Sequence, residues 1–309
     1  MKTYKSQDTW KKIQKYLPEN NRITQDSYPL EEWWEWNNNK VHIDYYPNPS
    51  SDVKLILLHG VGGNGRLLSF IGVPLYKQGY EIICPDLPGY GITQTKENNV
   101  DYSMWVNLVK DLVEYELQKD NKGIILFGLS AGGMLSYHAG CKNKNVSALI
   151  FTNLLDQRLQ EVRDFSALNK YMSRIGLRVL HLLEKINRDI EIPMKMVANM
   201  KAIVNNNEFL KLLINDKISS GARVPIRFIT SMINYSPDVE PENFNNCPVL
   251  LVHPEYDKWT DLRLSKLTFD KFKCKKELKI LEKVGHFPLE QPGLSQLEEY
   301  IVKFIEKKI

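Results

Sequence analysis

A five-residue pattern in this chain can expose a serine as a nucleophile. The stretch "FGLSAGGM" contains Gly128-Leu129-Ser130-Ala131-Gly132, which matches G-x-S-x-G. The pattern follows the apolar run "GIILF" and precedes a helix-like segment, which is the context that this motif requires. A sharp strand-to-helix turn strains the backbone and admits only small residues two positions to either side. We therefore predict that Ser130 is exposed at the positive end of the following helix.

A serine hydroxyl is a weak nucleophile, so it needs a base and a third group that orients the base. His286 directly follows the last predicted strand, in "LEKVGHFPLEQPG". Asp257 lies just past the preceding strand, in "LLVHPEYDKWTD". Open α/β sheets build their sites at the carboxyl ends of strands, and the order serine, aspartate, histidine is that of a known triad arrangement. We predict Ser130, Asp257 and His286 as catalytic residues, and the alternative acids stay open: Asp261, Glu255 and Asp156.

A glycine-rich loop, residues 60–65 in "LILLHGVGGNGRLL", matches the dinucleotide-binding pattern G-x-G-x-x-G. Asp86 even lies about 20 residues further on, where a ribose-binding acid would be expected. A nucleotide site would leave the three candidate catalytic residues unexplained. A phosphate-binding P-loop is excluded because Arg66 and Leu67 replace the lysine and the serine or threonine. We therefore expect no cofactor, and we expect Asp86 to be structural.

The elements that must position these residues alternate between apolar runs and helix-like segments. This alternation predicts an α/β fold with a mostly parallel central sheet flanked by helices. A first hairpin strand at 33–36 is followed by seven more predicted strands, at 40–47, 53–60, 80–86, 123–130, 146–153, 249–254 and 276–284. From Asp156 to about Tyr235 the pattern is helical throughout. We predict a helical cap, residues 156–239, inserted between strands six and seven of a core formed by 1–155 and 240–309.

Composition narrows the class of protein. With 309 residues, 43% hydrophobic and 25% charged, the chain is typical of globular proteins, and a net charge of +4 does not argue for a nucleic-acid partner. The four cysteines are scattered and the six histidines show no metal-binding spacing, so we expect no metal and a reducing, cytoplasmic location. No apolar run is long enough to cross a bilayer, and the first residues lack the apolar core of a secretory signal.

Membrane contact stays an alternative, through Trp10, the cap or the cluster of Trp33, Trp34 and Trp36. The favoured interpretation is that these tryptophans pack against the body of the protein.

Taken together, the motifs resemble the α/β-hydrolase superfamily, in particular serine esterases and lipases with a helical cap. The stretches "LLHGVGG", "PDLPGYG", "GLSAGG", "EYDKWT" and "VGHFPLEQP" occur in the family's order and cover nearly the whole chain. The resemblance implies the same three catalytic residues. It also implies an oxyanion hole formed by the backbone amides of Val61 and Ala131. His253 departs from the small residue that the family often has at that position.

The residues and the resemblance together predict acyl transfer from a small-molecule ester to water. A carboxylesterase or a monoacylglycerol- or lysophospholipid-type lipase is the first interpretation. A C–C bond hydrolase, an acyltransferase with the same triad, and a non-catalytic small-ligand receptor stay as alternatives. Gly60 and Gly62 let the backbone approach the substrate, and the cap methionines suggest an apolar tunnel. Residues predicted to bind substrate are therefore Gly60, Gly62, Met172, Met196 and Met200.

Overall fold

The fold is built on one eight-stranded sheet. The structure, a computed structural model, describes residues 2–96 and 99–308. The sheet order is β1-β2-β4-β3-β5-β6-β9-β10, and the pairs β1·β2 and β2·β4 are antiparallel while the others are parallel. The predicted fold class is therefore confirmed. The strands are β1 (Leu30–Trp36), β2 (Asn39–Tyr46), β3 (Val53–Leu58), β4 (Glu81–Pro85), β5 (Gly123–Gly128), β6 (Val146–Phe151), β7 (Glu191–Pro193), β8 (Arg223–Pro225), β9 (Val249–Pro254) and β10 (Lys276–Leu281).

Helices cover both faces of this sheet. Successive side chains of a strand point to opposite faces, so Ile56 and Leu58 of β3 join one buried cluster while Leu55 and Leu57 join the other. Helices α3 and α4 pack on the first face, and α2 and α10 pack on the second. The helices are α1 (Asp8–Ile13), α2 (Ser69–Lys77), α3 (Tyr102–Leu117), α4 (Ala131–Lys142), α5 (Gln160–Ser166), α6 (Leu177–Asn187), α7 (Asn207–Asn215), α8 (Ile226–Asn234), α9 (Leu262–Phe269) and α10 (Gly293–Lys308).

The segment between β6 and β9 carries α5 to α8, but it is not helical throughout. Residues 192–204 were expected to be helical, whereas β7 pairs antiparallel with β8 and two short 3₁₀ turns follow. Pro193 explains the difference, because a proline disfavours the helical conformation of the residue before it. Ile192 pairs with Val224, and the Met194 amide donates to the Ala222 carbonyl over 3.3 Å.

The tryptophans that could have served a membrane contact lie against the protein. Trp10 is buried on α1, and Trp36 is buried at the end of β1. Trp34 stacks on Tyr115 of α3, with ring centroids 5.2 Å apart, and Trp33 meets the His42 ring edge-on at 5.4 Å. Within the described residues, none of the helices combines the length and the apolar character needed to cross a bilayer.

Asp86 follows β4 and ties three separate segments together. Its carboxylate accepts hydrogen bonds from the Tyr4 hydroxyl (2.9 Å), the Gly65 amide (2.8 Å) and the Ile92 amide (2.8 Å). His42 Nδ1 lies 3.1 Å from the same carboxylate. Burial lowers the pKa of His42, but the charge and hydrogen bond of Asp86 outweigh it and raise that pKa to about 9. Asp86 thus holds the glycine-rich loop from below, as expected of a structural residue.

Loss of the Asp86 carboxylate should destabilise the whole protein. Asp86→Ala leaves a buried imidazolium and two buried amides without their acceptor, so we expect the free energy of unfolding to fall by about 3–5 kcal/mol. Urea unfolding monitored by circular dichroism measures the change. The control is Asp26→Ala, at an exposed position, with an expected change within about 0.5 kcal/mol. Equal losses in the two variants would contradict the structural role.

Candidate active site

Ser130 lies at the turn between β5 and α4 with φ 57° and ψ −123°. The neighbouring glycines are required by close approach of the backbone. A Cβ at Gly128 would lie 2.0 Å from the Gly132 carbonyl oxygen, and a Cβ at Gly132 would lie 2.2 Å from the Leu58 carbonyl oxygen. The Ser130 amide donates to Thr152 Oγ1 over 2.9 Å. The turn therefore fixes where the serine side chain begins.

The structure brings the three predicted catalytic residues into one hydrogen-bonded chain. Ser130 Oγ lies 2.7 Å from His286 Nε2, and His286 Nδ1 lies 2.8 Å from Asp257 Oδ2. His286 is buried, and its ring packs at 4.8 Å from the ring of Trp259. With Nδ1 donating to the carboxylate, Nε2 is free to accept the serine proton. The arrangement has the geometry of a nucleophile, a base and an orienting acid.

Asp257 accepts five hydrogen bonds, which explains how a buried carboxylate stays charged. Oδ1 accepts from the amides of Trp259 and Thr260, each at 2.9 Å. Oδ2 accepts from His286, from Thr260 Oγ1 at 2.8 Å and from Asn153 Nδ2 at 3.1 Å. Burial raises the pKa of Asp257, but the nearby His286 and these hydrogen bonds outweigh it and hold the pKa well below its usual value.

The rival acids are engaged elsewhere. Asp156 accepts hydrogen bonds from the guanidinium of Arg158, at 2.8 to 3.1 Å. Asp261 caps the start of α9 by accepting from the Arg263 amide at 2.7 Å, and Glu255 accepts from the Lys283 amide at 2.9 Å. Among the predicted candidates, Asp257 is the carboxylate that faces His286.

Two backbone amides beside Ser130 have no hydrogen-bond partner among the described residues, namely those of Val61 and Ala131. Ala131 is the first residue of α4, where an amide has no partner within the helix. Both residues line the same cavity as Ser130. Unpaired donors beside a nucleophile can receive a developing oxyanion, and the roles assigned to these two amides stay predictions.

The two histidines near the site pair with backbone groups. His59 Nδ1 lies 2.8 Å from the Gly60 carbonyl, and its Nε2 accepts from the Leu87 amide at 3.0 Å. Burial lowers the pKa of His59 to about 4, so its ring is neutral. His253 Nδ1 lies 2.9 Å from the Pro254 carbonyl. Both rings therefore hydrogen-bond to the backbone at strand ends, and neither is placed as a second base for Ser130.

Two cavities flank Ser130. The larger, of about 120 Å³, is mostly apolar, and its wall includes Met172 and Met194. The smaller, of about 20 Å³, also includes Gly60, Gly62 and His286 in its lining and has the size of one water molecule.

The three methionines predicted to bind substrate lie in different environments in the structure. Met172 lines the larger cavity, as expected of a residue that contacts substrate. Met200 is buried under the glycine-rich loop, where a Cβ added at Gly62 would lie 2.4 Å from its Cε. Met196 is 56% exposed and lies outside both cavity linings. Its position gives no support to a role in the tunnel, because the local turn directs it outward.

Sequence reasoning missed three polar residues that organise the site. Thr152 receives the Ser130 amide, Asn153 bridges to Asp257, and Thr260 makes two hydrogen bonds to that aspartate. Thr152 and Asn153 directly follow β6, and polar residues at the carboxyl end of a parallel strand are a signal that could have found them.

One group of potential metal ligands lies away from this site. One donor atom each from Glu31, His42 and Asp44 falls within a 4.8 Å cluster. The guanidinium of Arg66 hydrogen-bonds to Asp44 and lies 3.3 Å from Glu31. Its positive charge competes with any cation there, so this donor set is a poor fit for a metal.

Comparisons with known proteins agree with this fold. The family model described as serine aminopeptidase, S33, matches residues 49–292. No curated protein matches the chain in sequence.

Three solved structures illustrate the likeness of fold. A soluble variant of monoglyceride lipase from Saccharomyces cerevisiae, in complex with a substrate analog, has a TM-score of 0.77 and 18% identity over 93% of this chain and 97% of that one. The monoacylglycerol lipase of Paleococcus ferrophilus has a TM-score of 0.68 and 16% identity over 87% and 99%. An esterase from Exiguobacterium antarcticum has a TM-score of 0.63 and 17% identity over 90% and 100%.

The prediction that Asp257 is the acid can be tested by labelling Ser130 with a fluorophosphonate, because the labelling rate reports the reactivity of the hydroxyl. Asp257→Asn should lower the labelling rate by about 10³–10⁴-fold, because the amide no longer holds the imidazole in the accepting tautomer. Asp261→Asn is the matched control, the same change four residues away, and should label at the wild-type rate. A larger loss in Asp261→Asn than in Asp257→Asn would reverse the assignment.

Proposed function

Because the chain belongs to the serine aminopeptidase S33 family of α/β-hydrolases, we propose that it is a serine hydrolase that cleaves carboxylic esters through an acyl-enzyme on Ser130. The observation that carries this proposal is the hydrogen-bonded chain from Ser130 through His286 to Asp257 in the wall of an apolar cavity. This geometry supports an activated hydroxyl that meets an apolar substrate.

In the proposed mechanism, Ser130 Oγ attacks the ester carbonyl while His286 Nε2 takes its proton. Asp257 stabilises the imidazolium that forms. The carbonyl oxygen, now negative, receives hydrogen bonds from the amides of Val61 and Ala131, and one such donor is typically worth about 10²–10³ in rate. His286 then protonates the leaving alcohol, which departs. The same histidine next takes a proton from water as the water oxygen attacks the acyl carbon. The bond from that carbon to Ser130 Oγ then breaks, His286 returns the proton to Oγ, and the acid departs.

The proposed substrate is a lipid-like ester, such as a monoacylglycerol or a lysophospholipid. The larger cavity supports this class because aliphatic and methionine side chains dominate its lining. The similar structures include monoglyceride lipases, which agrees with the proposal at the level of fold. We propose residues 156–239 as the cap that excludes water and shapes this pocket.

Hydrolysis is favoured over acyl transfer to another alcohol by the smaller cavity. It touches both Ser130 and His286 and is of a size to hold one water. A C–C bond hydrolase or a ligand receptor would use the same cavity, but nothing specific in the site favours either one.

Turnover of p-nitrophenyl esters from acetate to palmitate tests the proposal. We expect hydrolysis by the wild type and a loss of about 10⁵–10⁶-fold in kcat for Ser130→Ala, which lacks the nucleophile. Ser50→Ala, at an exposed position, is the control and should match the wild type. Wild-type inactivity across the series, or activity that survives in Ser130→Ala, would overturn the proposal.

A further inference from the structure

The cavity beside Ser130 has a polar end as well as an apolar middle. Ser130, Met134 and His138 are spaced four residues apart along α4, so they lie on one face of the helix, and all three line the cavity. His138 is eight residues beyond Ser130, which places it about 12 Å along the helix axis. A ligand that is attacked at Ser130 can therefore extend past Met134 towards His138.

His138 is buried, with 5% of its surface exposed. Nδ1 lies 3.0 Å from the hydroxyl of Tyr102, while Nε2 has no hydrogen-bond partner among residues 2–96 and 99–308. Within the described part of the chain, the Tyr102 hydroxyl has no other acceptor, so its hydrogen is assigned to Nδ1 and the ring hydrogen to Nε2. Burial lowers the pKa of His138 to about 3, so the ring is neutral.

An unpaired donor at such depth costs about 1–3 kcal/mol, and native structures seldom tolerate this without a reason. A second donor in the same lining, Arg163 Nε, is also buried and finds no partner in the part of the chain that the structure describes.

From this we propose that His138 is a specificity-determining residue whose Nε2–H donates to an oxygen at the far end of the substrate. The substrate class is thus an ester with an apolar middle and a distal hydroxyl or carbonyl oxygen. This inference rests on the proposed function, since Ser130 marks the reacting end.

Binding to Ser130→Ala tests the inference without turnover. Isothermal titration compares straight-chain methyl esters of increasing length with the same esters carrying a terminal hydroxyl. At the length that reaches His138, we expect the hydroxyl ester to bind about five- to tenfold tighter. The preference should vanish in Ser130→Ala/His138→Phe and persist in Ser130→Ala/His138→Gln, whose amide can donate.

If the hydroxyl esters bind no tighter at any length, or if the preference survives His138→Phe, the inference is wrong. Should the phenylalanine variant fail to fold, Tyr102→Phe serves as the second variant. It removes the hydroxyl that donates to Nδ1, so the ring hydrogen is no longer held on Nε2 and the preference should weaken. Failure of the proposed function is recognised separately, by absent turnover in the wild type.

A separate observation concerns the outer surface of the cap segment. Nine of the thirteen exposed large apolar side chains in the described chain fall between residues 165 and 196. Tyr171, Ile175, Val179, Leu182 and Ile186 recur at intervals of three or four, which places them on one helical face. We call these five residues the outer cap face.

Basic residues also lie along this segment, and five of them are exposed: Lys170, Arg178, Lys185, Arg188 and Lys195. Two of the nearby aspartates, Asp164 and Asp189, pair with Arg174 and Arg227 instead. An apolar helical face with basic flanks is typical of helices that lie in the surface of an anionic bilayer. Each lysine or arginine near such a surface contributes about 1 kcal/mol.

We infer that the outer cap face docks on a membrane surface that contains anionic lipid. Co-sedimentation with phosphatidylcholine vesicles, with and without phosphatidylglycerol, tests this. The wild type should bind the mixed vesicles more tightly, and Leu182→Glu/Ile186→Glu should lower binding at least tenfold while hydrolysis of a water-soluble ester is unchanged. Leu30→Glu, an exposed leucine on β1, is the matched control and should bind like the wild type.

Three results would overturn the inference. One is wild-type binding to neither vesicle, and another is binding that the double variant leaves intact. The third is a dimer in size-exclusion chromatography that the double variant dissociates, which would identify this face as an interface between two copies.

Discussion

The strained turn at Ser130 is the constraint on which the rest of the site depends. A serine at positive φ costs of order 1–3 kcal/mol, and it persists only where the surroundings over-determine it. Here the Leu129 amide donates to the Leu58 carbonyl at 3.0 Å, and the Thr152 amide donates to the Gly128 carbonyl at 3.1 Å. Hydrogen bonds to segments at the ends of β3 and β6 thus fix the turn after β5 from both sides. The buried sheet supplies the rigidity that keeps the hydroxyl in place.

The carboxyl ends of the strands also position Asp257, the predicted acid. Asn153 follows β6 and reaches Asp257 after β9, so neighbouring parallel strands deliver groups that are far apart in the chain to one point. A charged carboxylate is costly to bury, and Asp257 is stabilised by the five donors around it. Four of those donors are not the histidine, so the carboxylate is already oriented before the imidazole is considered. This preorganisation directs Nε2 of His286 towards Ser130.

Much of this arrangement could be predicted from the sequence, since strand–helix alternation and G-x-S-x-G express local rules. Spacing along the chain and the family resemblance predicted Asp257 as the acid but left Asp261, Glu255 and Asp156 open. The structure separates these carboxylates through contacts in space. Arg158 hydrogen-bonds to Asp156, and Asp261 accepts a hydrogen bond from the Arg263 amide at the start of α9. The predicted helix over residues 192–204 was wrong, because the prediction gave more weight to the apolar periodicity than to Pro193. No sequence pattern indicates that His138 Nε2 lacks a hydrogen-bond partner among the described residues, because pairing depends on contacts in space.

The two faces of α6 connect the cavity to the surface. Leu177 and Leu180 line the cavity, while Leu182 and Ile186 point outward from the same eleven-residue helix. A helix of this length is marginal in isolation, so its order depends on what packs against it. The inner face packs against α8 and lines the cavity, whereas the outer face gains apolar burial only when another surface meets it. Under the two proposals, contact on the outer face would therefore stabilise the helix that lines the cavity, so docking and substrate binding would involve the same helix.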